Sequence, residues 1–231
     1  MSKVALVTGA NRGIGLEISK QLASRGIVTI LTTRNMHSGR PLVNELRKQW
    51  KNIWYHQLNV TEEQSIKDLL GFIEEECGNL DILINNAGIL LDEDKNILEM
   101  KPGLIRKTLD TNLYGPLRMS QAFLHLLKKS DDARIINLSS CMGQLSTMGN
   151  SSPAYRLSKT ALNALTVILA SELEGTNIKI NSVCPGWIKT GMGGENAPLS
   201  VEEGADTAVW LATADKIPNG KFVRGREVIP W

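Results

Sequence analysis

Apolar and polar positions alternate in blocks along the chain. Short continuous apolar runs at 3–7, 28–33, 53–57, 80–84, 133–138 and 178–183 read as strands. Between them lie stretches of helical period at 13–24, 41–49, 61–76, 105–129, 154–173 and 200–213. Thr61-x-x-Gln64 and Ser200-x-x-Glu203 have the spacing of capping boxes at two helix starts. Gly115-Pro116 falls inside the longest helical stretch, where a bend is expected. The tail after Asn219 reads as a last edge strand. Continuous apolar strands alternating with helices imply a parallel sheet covered on both faces. Right-handed crossovers then give an α/β, single-domain, Rossmann-like doubly wound parallel sheet. No linker, repeat or low-complexity stretch divides the 231 residues, so 1–231 reads as one NADP(H)-binding catalytic domain, on the grounds below.

The first strand runs into Thr8-Gly9-Ala10-Asn11-Arg12-Gly13-Ile14-Gly15 and then into a helix. Glycines there let the backbone turn tightly and approach a pyrophosphate, which the helix N-terminus attracts with free N–H groups. The spacing is Gly-x-x-x-Gly-x-Gly, a variant of the usual dinucleotide fingerprint. Sites for NAD place an acid about 20 residues further on to hold the ribose 2′-hydroxyl. Here that place holds Thr33-Arg34, so no carboxylate repels a 2′-phosphate and a guanidinium can bind it. Arg12 can approach the same phosphate from the glycine turn. The expected cofactor is therefore NADP(H).

Tyr155 and Lys159 are spaced i, i+4 on a predicted helix and share one face. A neighbouring ammonium favours phenolate, so the pair predicts a lowered tyrosine pKa and a general acid or base.

Taken in order, these motifs resemble the short-chain dehydrogenase/reductase family over nearly the whole chain. The glycine turn is followed by Asn85-Asn86-Ala87-Gly88, then Thr111-Asn112-Leu113, then Ser139-Ser140-Cys141-Met142-Gly143. Tyr155 and Lys159 come next, and Pro185-Gly186-Trp187-Ile188-Lys189-Thr190 follows the sixth strand. Thr-Gly-Ala-Asn-Arg-Gly-Ile-Gly, Ala-Tyr-Arg-Leu-Ser-Lys-Thr-Ala-Leu-Asn and the closing Ile-Pro-Trp resemble the carbonyl-reductase-like group within it.

The resemblance implies roles. Tyr155 donates the proton to a carbonyl oxygen, and Lys159 lowers its pKa and bonds the nicotinamide ribose. Ser140 holds the carbonyl oxygen, with Ser139 the runner-up. Asn112 positions a water that relays protons to Lys159. Gly9, Asn11, Arg12, Gly13, Ile14, Gly15 and Arg34 take the phosphates. Asn59 and Val60 meet the adenine; many relatives carry Asp at position 59. Asn86, Ala87 and Gly88 flank the adenosine, and Pro185, Gly186, Ile188 and Thr190 line the carboxamide. Asn85-Asn86 also reads as a brace for the sheet. Trp187 and Met192 read equally as substrate contacts or as packing.

The implied activity is reduction of a ketone, aldehyde or quinone by NADPH. An NADP+-dependent secondary-alcohol or steroid dehydrogenase uses the same residues. A non-catalytic NADP(H) sensor is disfavoured, because such proteins usually lose the tyrosine or lysine. Substrate choice is expected from two loops, 144–153 and 191–199. With nine residues between Thr190 and Ser200, the lid over the site should be short. In relatives, the helices carrying Asn112 and Tyr155 pair across a two-fold axis. The apolar run Thr160–Ala170, and Leu113, Leu117, Phe123, Leu124 and Leu127 on the other helix, therefore predict a homodimer or homotetramer.

Composition narrows the remaining classes. Lys and Arg number 26 against 24 Asp and Glu, a net charge of +2, which gives no footprint for nucleic acid or a membrane surface. No run is long enough to span a bilayer, and a first strand starting near residue 3 leaves no place for a cleavable leader. Three cysteines, 77, 141 and 184, suit a cytoplasmic protein better than a disulfide framework, and Cys141 and Cys184 read as small packing residues. The three histidines have no metal-ligand spacing, so no metal site is expected.

Overall fold

A computed structural model describes residues 2–93 and 95–231. The elements follow the predicted alternation: β1 (Val4–Val7), α1 (Gly13–Ser24), β2 (Val28–Thr33), α2 (Met36–Leu46), β3 (Ile53–Gln57) and α3 (Glu63–Glu76). Then come β4 (Ile82–Asn85), α4 (Pro102–Leu109), α5 (Gly115–Leu127), β5 (Ala133–Leu138), α6 (Pro153–Glu172), β6 (Ile178–Val183), α7 (Val201–Thr213), β7 (Lys221–Arg224) and β8 (Glu227–Ile229).

The strands form one sheet in the order β3-β2-β1-β4-β5-β6-β7-β8. The first seven are parallel, and β8 turns back antiparallel on β7. The tail is thus a hairpin rather than the single edge strand expected. The register pairs apolar residues across the centre: Leu6 lies opposite both Ile30 and Leu83, and Ile84 opposite Ile136. The two faces feed two cores. Val7, Ile84 and Ile136 meet α1 and α7 on one side. Leu6, Leu83 and Ile135 meet α3 and α5 on the other. Chain order reverses between β1 and β4, so a crevice opens at the carboxyl ends of those strands.

Two helix starts behave differently. Ser200 accepts from the Glu203 N–H at 3.2 Å while Glu203 reaches back to the Ser200 N–H at 2.8 Å, the expected box. The Thr61–Gln64 box is absent. Asn59 Oδ1 captures the Thr61 hydroxyl at 2.9 Å, and α3 starts two residues late. A short side chain that finds a local acceptor is no longer free to cap.

The long helix expected at 105–129 is interrupted. It begins earlier, at Pro102, and a π-helical turn over Asp110–Tyr114 separates α4 from α5. Gly115 then lets the backbone pass Val60, since a β-carbon there would stand 2.9 Å from Val60 Cγ2. Of the five residues expected on the outer face of the long helix, Phe123 and Leu127 instead lie in the core. Leu113, Leu117 and Leu124 are half-buried. On α6 the outward stripe is real: Leu157, Val167 and Ile168 are exposed by 47%, 43% and 54%.

Candidate active site

The crevice is a cleft of about 750 Å³. Its first wall is the glycine turn. Gly9 has φ +64°, and a β-carbon on it would stand 2.9 Å from Ala87 Cα, so only glycine lets the two loops meet. Asn86 clamps the turn by donating from Nδ2 to the carbonyls of Thr8 and Gly9 at 2.9 and 3.0 Å. Asn85 braces the sheet, donating to Asn137 Oδ1 at 2.9 Å. The first turn of α1 has no side-chain cap and no acidic residue, which leaves its amides to a ligand anion. Arg12 and Arg34, both exposed, line the same end of the cleft. Free helix amides, a glycine cradle and two guanidiniums, with no carboxylate among the described residues that line the cleft, fit a phosphorylated dinucleotide.

At the other end, α6 carries Tyr155 and Lys159. Its N-terminus is held by Asp92, which is fully buried and accepts from the N–H groups of Ala154 and Tyr155 at 2.6 and 3.4 Å. Ser152, at the N-cap with φ 51°, makes no side-chain cap, so the distant carboxylate does that work. Lys159 Nζ lies 5.4 Å from the Tyr155 ring centroid and donates to the Leu138 carbonyl at 2.6 Å.

Electrostatics correct the sequence expectation for this pair. Burial pushes the Tyr155 phenol up to about 12, while a hydrogen bond with Ser140 pulls the other way. Burial also brings the Lys159 ammonium down to about 8. Tyr155 thus holds its proton at neutral pH and the lysine does not lower it in the free protein. Desolvation outweighs a cation whose own bond goes to a carbonyl.

Asn112 sits in the π-helical turn and is fully buried. Its Oδ1 accepts from Ile89 N–H at 2.8 Å, and its Nδ2 donates to the Ile89 carbonyl and the Ser158 hydroxyl at 2.9 and 3.0 Å. A β-carbon on Gly88 would stand 3.5 Å from Asn112 Oδ1 and 3.7 Å from Lys159 Nζ, so Gly88 packs beside both groups. Ser140 Oγ accepts from the Met142 N–H at 3.1 Å. Ser139 is buried and directed to the Lys159 carbonyl, a structural place.

The cleft gathers Gly9, Asn11, Arg12, Gly13, Ile14 and Gly15 with Arg34, Val60, Asn86, Ala87 and Gly88. It also takes in Ser140, Tyr155, Lys159, Pro185, Gly186, Ile188 and Thr190. Asn59 is the exception among the cofactor residues. It does not line the cleft, and its Nδ2 donates to Glu62 at 2.6 Å. The loop at 144–153 also stays outside, with Gln144 tied to the Pro230 carbonyl at 2.7 Å. Trp187 and Met192, exposed by 55% and 42%, are on the rim instead. Cys141, Cys184 and Arg224 also face the cleft. Nothing in the sequence around Arg224 marks it, because β7 reaches the site only through the sheet order.

A sequence model described as short chain dehydrogenase matches residues 3–199. The chain belongs to the short-chain dehydrogenase family. Among its relatives, (+)-neomenthol dehydrogenase of Arabidopsis thaliana is 35% identical, over 98% of this chain and 97% of that protein. Carbonyl reductase [NADPH] 1 of Bos taurus is 32% identical, over 99% and 98%. The solved structure of NADPH-bound carbonyl reductase from chicken fatty liver superposes with a TM-score of 0.90 at 30% identity, covering 100% and 99%. These relatives put the chain in the carbonyl-reductase-like group of the family. The alignment with neomenthol dehydrogenase runs 289 residues against the 231 of this chain, so that relative carries segments this one lacks. Among the described residues no helix is long and apolar enough to cross a membrane.

Proposed function

We propose that the protein is an NADPH-dependent reductase of ketone, aldehyde or quinone carbonyls, formed as one catalytic domain over residues 1–231, with Tyr155 as general acid. The observation that carries this reading is a buried phenol held protonated at the floor of a cleft built for a phosphorylated dinucleotide. The names of the bovine and chicken relatives support both the cofactor and the reaction class. Bound NADPH supplies the hydride. Arg34 and Arg12 would hold the 2′-phosphate, the amides of α1 the pyrophosphate, and Pro185, Gly186, Ile188 and Thr190 the nicotinamide end. Ser140 would donate to the substrate carbonyl oxygen, and Tyr155 would pass its proton to the same atom. Lys159 would hold the ribose and put positive charge beside the phenolate left behind. A water positioned by Asn112 would return the proton from solvent to Lys159.

The reductive direction rests on the carbonyl reductase relatives. The oxidative reading, an NADP+-dependent secondary-alcohol dehydrogenase, rests on the neomenthol dehydrogenase relative. The non-catalytic sensor is disfavoured, because Asn112, Ser140, Tyr155 and Lys159 are all present. With Trp187 and Met192 on an open rim and a short lid, the cleft suits bulky or aromatic carbonyls. The exposed apolar stripe on α6 favours a homodimer or homotetramer, and three free cysteines suit the cytoplasm.

Consumption of NADPH with a panel of ketones, aldehydes and quinones tests the reading. Tyr155→Phe should lower kcat at least about a hundredfold while NADPH still binds by fluorescence titration. Near-normal turnover in that variant overturns the assignment.

A further inference from the structure

Cys141 lies just beyond β5 and Cys184 just beyond β6, neighbouring strands whose last paired residues are Leu138 and Val183. Their sulfurs are 2.8 Å apart, and the Cys141 N–H donates to Cys184 Sγ at 3.1 Å. Both line the cleft, where Cys141 is half-buried and Cys184 buried, so a small solute that enters the cleft reaches Cys141. Arg224 Nη1 stands 3.5 Å from Cys141 Sγ. A structural cysteine is buried among apolar groups with its thiol pushed up. Cys77, half-buried at the end of α3, has its thiol pushed up, by burial first and then by Glu76. Cys141 is the opposite. The thiol of Cys184 donates to it and Arg224 adds its charge, bringing Cys141 down to about 6. The same shared proton, together with burial, pushes Cys184 up. The contact draws one sulfur toward thiolate and holds the other protonated beside it.

We infer that Cys141 and Cys184 form a reactive dithiol in the cleft, a modification site that a peroxide closes to an intramolecular disulfide. The chemistry balances with the peroxide as sole oxidant. The Cys141 thiolate attacks one peroxide oxygen. The O–O bond breaks, and hydroxide leaves and takes a solvent proton to become water. Cys141 is now a sulfenic acid. The Cys184 sulfur attacks the Cys141 sulfur, an S–S bond forms and the S–O bond breaks. The departing hydroxide carries off the Cys184 proton as a second water. Two thiols and one peroxide give one disulfide and two waters. Each sulfur is oxidised by one electron and each peroxide oxygen reduced by one.

The two cysteines belong to different walls. Cys141 follows Ser140, and Cys184 precedes Pro185-Gly186. The bond therefore staples the two loops of the cleft together, and a thiol reductant releases them. This assignment stands on the two sulfurs and their neighbours and does not depend on the reductase reading.

The test treats the reduced, intact protein with hydrogen peroxide and follows thiol titre and peptide mass under non-reducing conditions. Titratable thiols should fall from three to one, the mass should drop by two hydrogens, and a Cys141–Cys184 peptide pair should appear and vanish with dithiothreitol. Cys77→Ser, remote from the cleft, should behave the same, ending with no free thiol. Cys141→Ser and Cys184→Ser should lose the mass change. Phenylarsine oxide, which bridges two close thiols, should bind the reduced protein once and the peroxide-treated protein not at all. Three thiols surviving the peroxide, a bond through Cys77 or between two chains, or Cys141 going on to sulfinic acid without a bond to Cys184 would each overturn the proposal. Wild type and Cys77→Ser decide it even where the other two variants fail to fold.

Discussion

Lys159 is an ammonium in a site that resists charge, and its removal should change how stability depends on pH. Burial brings it from 10.5 to about 8 in the folded protein. Below pH 8 the folded and unfolded chains both hold the proton, and the folded chain pays a constant penalty of about 3 kcal/mol. Between pH 8 and 10.5 the unfolded chain holds the proton and the folded chain has released it. Stability therefore rises with pH across that window. From pH 7 to pH 10 the lysine should contribute a gain of about 2.5 kcal/mol. Lys159→Met does not titrate and lacks this gain. The assay is urea unfolding of wild type and variant at both pH values. Comparing the two proteins cancels every other titrating group. The unfolding free energy of the wild type should rise relative to the variant by about 2.5 kcal/mol on going from pH 7 to pH 10. Equal slopes, or a wild type that loses ground, would show that the ammonium is solvated and refute the electrostatic account of the site. The same titration should appear in function. Because Tyr155 stays protonated to about 12, a fall in reductive kcat/KM above pH 8 reports the lysine.

Three further outcomes follow from the geometry. Arg34→Asp should lower kcat/KM for NADPH about 10- to 150-fold, the worth of a charge-assisted bond to a phosphate of roughly 1.5–3 kcal/mol, and leave the NADH value nearly unchanged; parallel losses for both cofactors would refute the 2′-phosphate role. Asp92→Ala should destabilise the protein by about 1–2 kcal/mol through loss of the α6 cap, and Asp92→Asn, which keeps an acceptor, should cost less; a neutral alanine variant by urea midpoint would contradict the capping geometry. Ile168→Arg on the exposed stripe of α6 should reduce the mass seen by light scattering during gel filtration from a multiple of 25.4 kDa to that of one chain, whereas a wild type that already elutes as a monomer removes the oligomer from the account.

What the sequence determined by itself is what short-range chemistry controls. Apolar runs fixed the parallel strands, because a strand covered on both faces has no polar side to show. That the glycine turn, Arg34, Tyr155 and Lys159 share one cleft was legible because each is placed by neighbours in the chain or by one handover from strand to helix. Ser200 and Glu203 found each other for the same reason. The tertiary structure decided whatever depends on desolvation or on a distant partner. The spacing of Tyr155 and Lys159 predicted an acidified phenol, but burial, which no local pattern reports, raises it. Asn59 stands where many relatives carry Asp, and its amide is engaged by Glu62 and Thr61. Phe123 and Leu127 looked outward on a regular helix, and a π-helical turn ahead of α5 accompanies their place in the core. Asp92 carried no signal, because it caps a helix 62 residues away. Cys141 and Cys184, 43 residues apart, read as packing residues because only the pairing of β5 with β6 brings their sulfurs together. A charge shift or a contact of this kind is set by what the fold removes from water and by which strand lies beside which, and neither is written at any one place in the chain.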